Sequence, residues 1–207
     1  WLRTLQIEQL AAAGKPLPVS LVANSSPVTP PVRLRRVRAE VGFRASAGDV
    51  AGALRKLEWE ERVLEAQQAV DESSQLRVTR ARLLLDDGRT DEARELLRSV
   101  AWQGGALGST REEAAGLLGE LPRNVAADEL ARAAGYEAAG KPGLAARSIR
   151  AALSNGAADP AGLQLKLARL LYAERDYGPA RIAFERAAEE LTEPELVAEA
   201  SLYSARS

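Results

Sequence analysis

Gly140-Lys141-Pro142-Gly143-Leu144-Ala145-Ala146-Arg147-Ser148-Ile149-Arg150-Ala151-Ala152 is the stretch that decides the fold. A glycine at position 140 can adopt positive φ where one helix ends and the chain reverses. Ala145 follows five residues later, the large apolar Ile149 one turn beyond it, and Ala152 one turn beyond that. Twelve residues before Ala145, in the preceding helical segment, stands another small residue, Ala133. Two small residues in this relation let paired helices approach closely, and the apolar residue fills the groove between them.

The arrangement recurs. Gly48, Gly88 and Arg175 precede Ala53, Ala93 and Ala180 by the same five residues, and Leu57, Leu97 and Phe184 follow by four. Val100 and Ala187 occupy the position seven after, where the first copy has Glu60; Val41, Ala81 and Ala168 stand twelve before. The anchors at 53, 93, 145 and 180 are separated by 40, 52 and 35 residues. The last interval is close to the roughly 34 residues of a two-helix repeat, and the middle one has room for an extra helix. Ser109-Thr110-Arg111-Glu112-Glu113-Ala114-Ala115-Gly116-Leu117-Leu118 supplies that helix, with a hydroxyl expected as its N-cap and acids in its first turn.

Around this core the chain of 207 residues carries 28 Lys and Arg against 29 Asp and Glu, a formal charge of −1, with 46% apolar and 4% aromatic residues. It has no Cys, His or Met. Ser-His-Asp and Cys-His catalysis, thiolate nucleophiles and the usual zinc and haem sites are therefore excluded. The balanced charge gives no overall attraction to nucleic acid, and no apolar run reaches the roughly 18 residues that would span a bilayer. Neither nucleic acid nor a membrane span is expected, and no cofactor.

Residues 1–31 read as a helix over Trp1–Ala13, a short helix over Pro18–Ala23 with proline in its first turn, and a Pro/Ser-rich linker, irregular from Asn24 through Pro31. The start at Trp1 reads as a processed product or excised fragment, and Ala198–Ser207 as a helix just begun. Residues 32–125 read as irregular helical hairpins and 126–207 as more regular repeats, the last truncated. Ala, Leu, Arg and Glu dominate, and convincing strand alternation is absent.

Tyr136, Ala145, Ile149 and Ala152, then Tyr177, Ala180, Phe184 and Ala187, resemble two tetratricopeptide repeats. The wider pattern is similar to the superhelical, non-catalytic region of bacterial soluble lytic transglycosylases. Ala145–Ile149, Leu170–Tyr177 and Ala198–Arg206 carry that likeness. It implies an irregular right-handed superhelix of antiparallel hairpins, an all-α, tetratricopeptide-like α-solenoid. It also implies a scaffold role in peptidoglycan processing, in the bacterial periplasm or cell envelope. The family's catalytic Glu-Ser pair precedes a Gly-Leu-Met-Gln stretch; no such stretch follows Glu72-Ser73. This chain is accordingly expected to carry no catalytic residues, and a peptidoglycan strand would be met through a catalytic domain outside it. The alternative is a free-standing adaptor that binds a peptide or protein in its concave groove, in the cytoplasm or elsewhere.

Four further features have competing readings. Glu58, Glu60 and Glu61 are acids of the kind glycoside cleavage uses, but without an opposing carboxylate they read as a solvated helix face. Asp86-Asp87-Gly88 reads as a helix end. Arg33-Leu34-Arg35-Arg36-Val37-Arg38 places Leu34 and Val37 inward and its arginines in water. Gly104–Thr110 lacks the lysine and strand of a phosphate loop and reads as a linker. Trp1, Trp59 and Trp102 read as packing between helices, Trp102 partly exposed. On the inner surface, Arg38, Arg82, Arg169 and Tyr172 form a candidate basic, partly aromatic strip for acidic ligand groups, against the plainer reading of unengaged surface arginines.

Overall fold

The computed structural model describes residues 29–122 and 125–206. The helices expected over 1–13 and 18–23, and Trp1, lie outside them. The chain divides into two compact units between Ala106 and Leu107.

The described part of the first unit holds α1 (Pro30–Ser46), α2 (Val50–Ala66), α3 (Val70–Asp86) and α4 (Thr90–Trp102). Consecutive helices pack as antiparallel neighbours, and α1 also touches α3. The second unit holds α5 (Gly108–Glu120), α6 (Ala126–Ala138), α7 (Pro142–Ser154), α8 (Pro160–Ala173), α9 (Tyr177–Glu190) and α10 (Pro194–Arg206), again packed in sequence. No strand occurs among the described residues. The fold is all-α, built of helical hairpins of the α-solenoid kind.

One closure ends six of the described helices. After α1, Gly48 takes φ +83°, its N–H bonds to Ala45 O, and the N–H of Asp49 reaches back to Arg44 O at 2.9 Å. These bonds satisfy carbonyls that a helix end leaves orphaned. Gln68, Gly88, Gly140, Gly156 and Arg175 occupy the equivalent left-handed position after α2, α3, α6, α7 and α8. The exception in the repeat, Arg175, has a glycine's backbone without being glycine.

The anchors are where the repeat puts them. Ala53, Ala93, Ala145 and Ala180 are fully buried, as are Leu57, Leu97, Ile149 and Phe184 and the small residues Ala81, Ala133 and Ala168; Val41 is buried too. Burying a side chain such as Ile149 or Phe184 contributes about 1.5–3 kcal/mol. None of these hairpins can cover its own apolar face, so each leans on its neighbour.

Two local expectations are corrected. Pro30 and Pro31 are the first turn of α1 rather than irregular linker: the missing amides are ones a helix start leaves unbonded anyway. The middle helix α5 forms as expected but begins at Gly108 with Leu107 as its N-cap, not at a hydroxyl, and Thr110 is buried inside its first turn. The reason is steric. A Cβ on Gly108 would collide with the Ala138 carbonyl at the end of α6, so the helix starts where the main chains can touch.

Candidate ligand grooves and the charges beside them

Building the surface up from the repeat register gives a groove at the same place in each unit. In the first unit, α2 and α4 flank α3 and leave a cavity of about 690 Å³, bordered by Leu54, Arg55, Arg80, Leu84 and Leu96, with a second of about 380 Å³ continuing along Glu61, Arg77 and Arg80. In the second unit, α7 and α9 flank α8 around about 390 Å³. Counted from the anchor alanines, the floor positions coincide: Arg77, Arg80 and Leu84 in α3 correspond to Gln164, Leu167 and Leu171 in α8. The walls coincide as well, Glu58, Glu61 and Arg62 with Arg150, Leu153 and Ser154. A groove between alternate helices follows from the hairpin repeat itself, because the helix between them is set back.

The chemistry of the two copies differs. In the first unit the groove is lined by its own ion pairs: Arg80 to Glu61 at 3.1 Å and Arg77 to Glu65 join α3 to α2, while Arg62 to Glu58 at 2.6 Å and Arg89 to Glu92 at 2.7 Å run along the two walls. Arg77 also donates to Gln103 Oε1. In the second unit the floor is Leu167 and Leu171, the walls include Leu153 and Ile182, and no acid lines the cavity.

Glu60 and Glu61 correct the expectation of a solvated acidic face: only Glu58 is exposed, while Glu60 and Glu61 are 6% and 5% exposed. Glu60 sits in the slot seven after the anchor, filled elsewhere by Val100, Ala152 and Ala187, all buried. It is held there by Arg33 at 2.9 Å and Lys56 at 3.0 Å, and Lys56 also meets the buried Glu40 at 3.5 Å. Burial pushes the Glu60 carboxyl up, but hydrogen bonds from Arg33 and Lys56 outweigh it and hold the group below its ordinary value. For Glu61 burial wins: its pKa is raised to about 7 against the pull of Arg80 and Arg77. Its Oε1 is buried without a hydrogen-bond partner among the described residues. The broken repeat position was the available signal, since a slot buried in three copies predicts a buried Glu60 in the fourth.

The four strip residues divide between the units. Arg38 and Arg82 are exposed on α1 and α3, and both make interactions within the fold. Arg169, on α8, donates Nε and Nη2 to the two carboxylate oxygens of Glu199 on α10 at 2.8 and 2.6 Å. The hydrogen bond from Arg169 and its charge draw the Glu199 carboxyl down. Tyr172 packs edge-on against Tyr177, Phe184 and Tyr203, with Phe184 stacked on Tyr203 at 5.4 Å. Arg169 and Tyr172 thus fasten α10 to α8. None of the four lines the cavities described above.

Leu34 and Val37 face the core as expected, and Asp86 ends α3 as expected. Trp59 is 64% exposed rather than packed between helices, and Trp102 is 55% exposed. Trp59 lies two residues past Leu57, about 200° around the helix from the buried side. Among the described residues, no helix is long and apolar enough to cross a membrane. No family model, curated protein or solved structure matches this chain.

Proposed function

We propose that this chain is a non-catalytic helical-repeat scaffold that holds a peptide or protein segment against its surface. The observation that carries the reading is the groove repeated in register between alternate helices. Each copy is an open trough of the kind that takes a peptide segment, whereas a small-molecule site is a closed cleft. The non-catalytic reading is supported by the state of the acids: Glu60 is tied to two cations, and Glu61 is paired with Arg80, with no second carboxylate among the described residues set opposite it for acid–base work. Selection of phage-displayed peptides on the immobilised chain tests the reading. Enriched sequences that bind as free peptides with Kd below about 100 μM support it; no enrichment over an unrelated helical bundle ends it.

The finer reading is the superhelical arm of a lytic transglycosylase acting on peptidoglycan in the cell envelope. It is supported by the sequence likeness of 145–149, 170–177 and 198–206 and by the hairpin architecture. Co-sedimentation of the chain with purified peptidoglycan sacculi, and a lysozyme-like segment with Glu-Ser and Gly-Leu-Met-Gln stretches beyond Ser207 in the coding sequence, would support it. Failure of both leaves the free-standing adaptor.

A further inference from the structure

We infer that the groove of the second unit, between α7 and α9, is the site of recognition and that its occupant is an acidic amphipathic helix. The inference rests on the binding reading above and specifies where and what. The floor residues Gln164, Leu167 and Leu171 lie at i, i+3 and i+7 on α8, two turns or about 10 Å of helix. A floor of that length accommodates about two turns of a partner helix laid along it. Ile182, 47% exposed on the wall, is an apolar side chain in contact with water that such a partner would cover.

The charge argument fixes the partner's polarity. Arg150 on α7 and Arg186 on α9 stand on opposite walls, both exposed. Neither guanidinium meets a carboxylate among the described residues, and none of the residues lining this groove is Asp or Glu. Guanidinium groups carried on both walls of a largely apolar groove match carboxylates on both flanks of an apolar stripe. The corresponding groove of the first unit serves as an internal control. There the places of Leu153 and Leu167 are taken by Glu61 and Arg80, which pair with each other at 3.1 Å, and Arg150 is replaced by Glu58, which pairs with Arg62. That copy is occupied by its own charges; in the second copy the floor leucines are already covered from below, and what stands open to a partner is the wall residue Ile182 beside two cations that no carboxylate among the described residues meets.

The test uses the whole chain and two 14-residue helical peptides with the same leucine stripe, one flanked by Glu and one by Lys, titrated by fluorescence anisotropy at low and moderate salt. The Glu peptide is expected to bind at least tenfold tighter than the Lys peptide. Its affinity should fall at least tenfold in Arg150→Glu/Arg186→Glu and several-fold in Ile182→Ser, and it should weaken with salt. Arg55→Glu, on the first unit's groove, should leave it unchanged. Equal binding of both peptides, no binding of either, or a Glu peptide indifferent to Arg150→Glu/Arg186→Glu overturns the assignment. So does sedimentation showing the chain self-associated through this face, with the double variant monomeric. Arg150→Gln/Arg186→Gln, which only neutralises the two walls, must also weaken the Glu peptide if the effect is recognition rather than altered folding. Peptides enriched on phage that lack acids, or that bind despite the double variant, would sink this site while leaving the binding scaffold standing.

Discussion

Arg175 and Gly48 hold the same backbone conformation, φ +62° and +83°, at the same place five residues before a buried alanine. A side chain in the left-handed region costs about 1–2 kcal/mol that glycine does not incur. Arg175→Gly is therefore expected to stabilise the chain by about 0.5–1 kcal/mol, the gain being reduced by the greater freedom of glycine when unfolded. Gly48→Ala should destabilise by about 1 kcal/mol. Urea denaturation followed by circular dichroism measures both, and a loss of stability in Arg175→Gly contradicts the account.

Gly135 on α6 lies against α5 so closely that a Cβ there would stand 2.5 Å from the Arg111 carbonyl oxygen and 2.8 Å from the Ala115 Cβ. Alanine ordinarily favours a helix by about 1 kcal/mol over glycine. Here the clash is with main chain and outweighs that gain, so Gly135→Ala should cost about 1–3 kcal/mol. A thermal melt in which the variant equals or exceeds the parent would show that α5 and α6 can separate freely.

Glu61 gives the stability a pH dependence near neutrality. With its pKa raised from 4.5 to about 7, the folded chain binds a proton that the unfolded chain has released. Its contribution is fully present below about pH 4.5 and is lost as pH rises through 7, by up to about 3 kcal/mol. Glu61→Gln should flatten the denaturation midpoint between pH 5 and 8. A variant that keeps the parent's slope assigns that slope to another group.

Glu60 works in the opposite direction. Held below its ordinary value by Arg33 and Lys56, it stabilises above that value, and the stabilisation is lost as pH falls through the folded pKa. Glu60→Ala should cost about 1–3 kcal/mol at pH 7, because Arg33 and Lys56 keep partial access to water and are not stranded completely. The same substitution should cost less once the pH has fallen through the folded pKa and the carboxyl has taken up its proton. Equal losses above and below that pKa would indicate that packing, not charge, fills this slot.

The hairpins were legible because the repeat encodes packing directly: glycine, small residue and large apolar residue each leave a fixed spacing, and Gly140, Ala145 and Ile149 sit where that spacing requires. Arg175 shows that the turn, not the glycine, is what repeats. The grooves were harder to read. They arise where two helices flank a third, so their linings come from residues far apart in sequence, such as Arg150, Leu167 and Arg186. The strip of Arg38, Arg82, Arg169 and Tyr172 was chosen by position along single helices, and such a choice cannot foresee that Glu199 and Tyr203 arrive from α10 to occupy two of its members.

The hairpin of α5 and α6 is tightest at Gly108 and Gly135, where what stands opposite is carbonyl oxygen. Rotamers cannot be rearranged to make room there. Neither position can acquire a methyl group until a stretch of backbone has first moved, which places a ratchet on sequence drift: neighbours may change size by trading volume, but these two sites have none to trade.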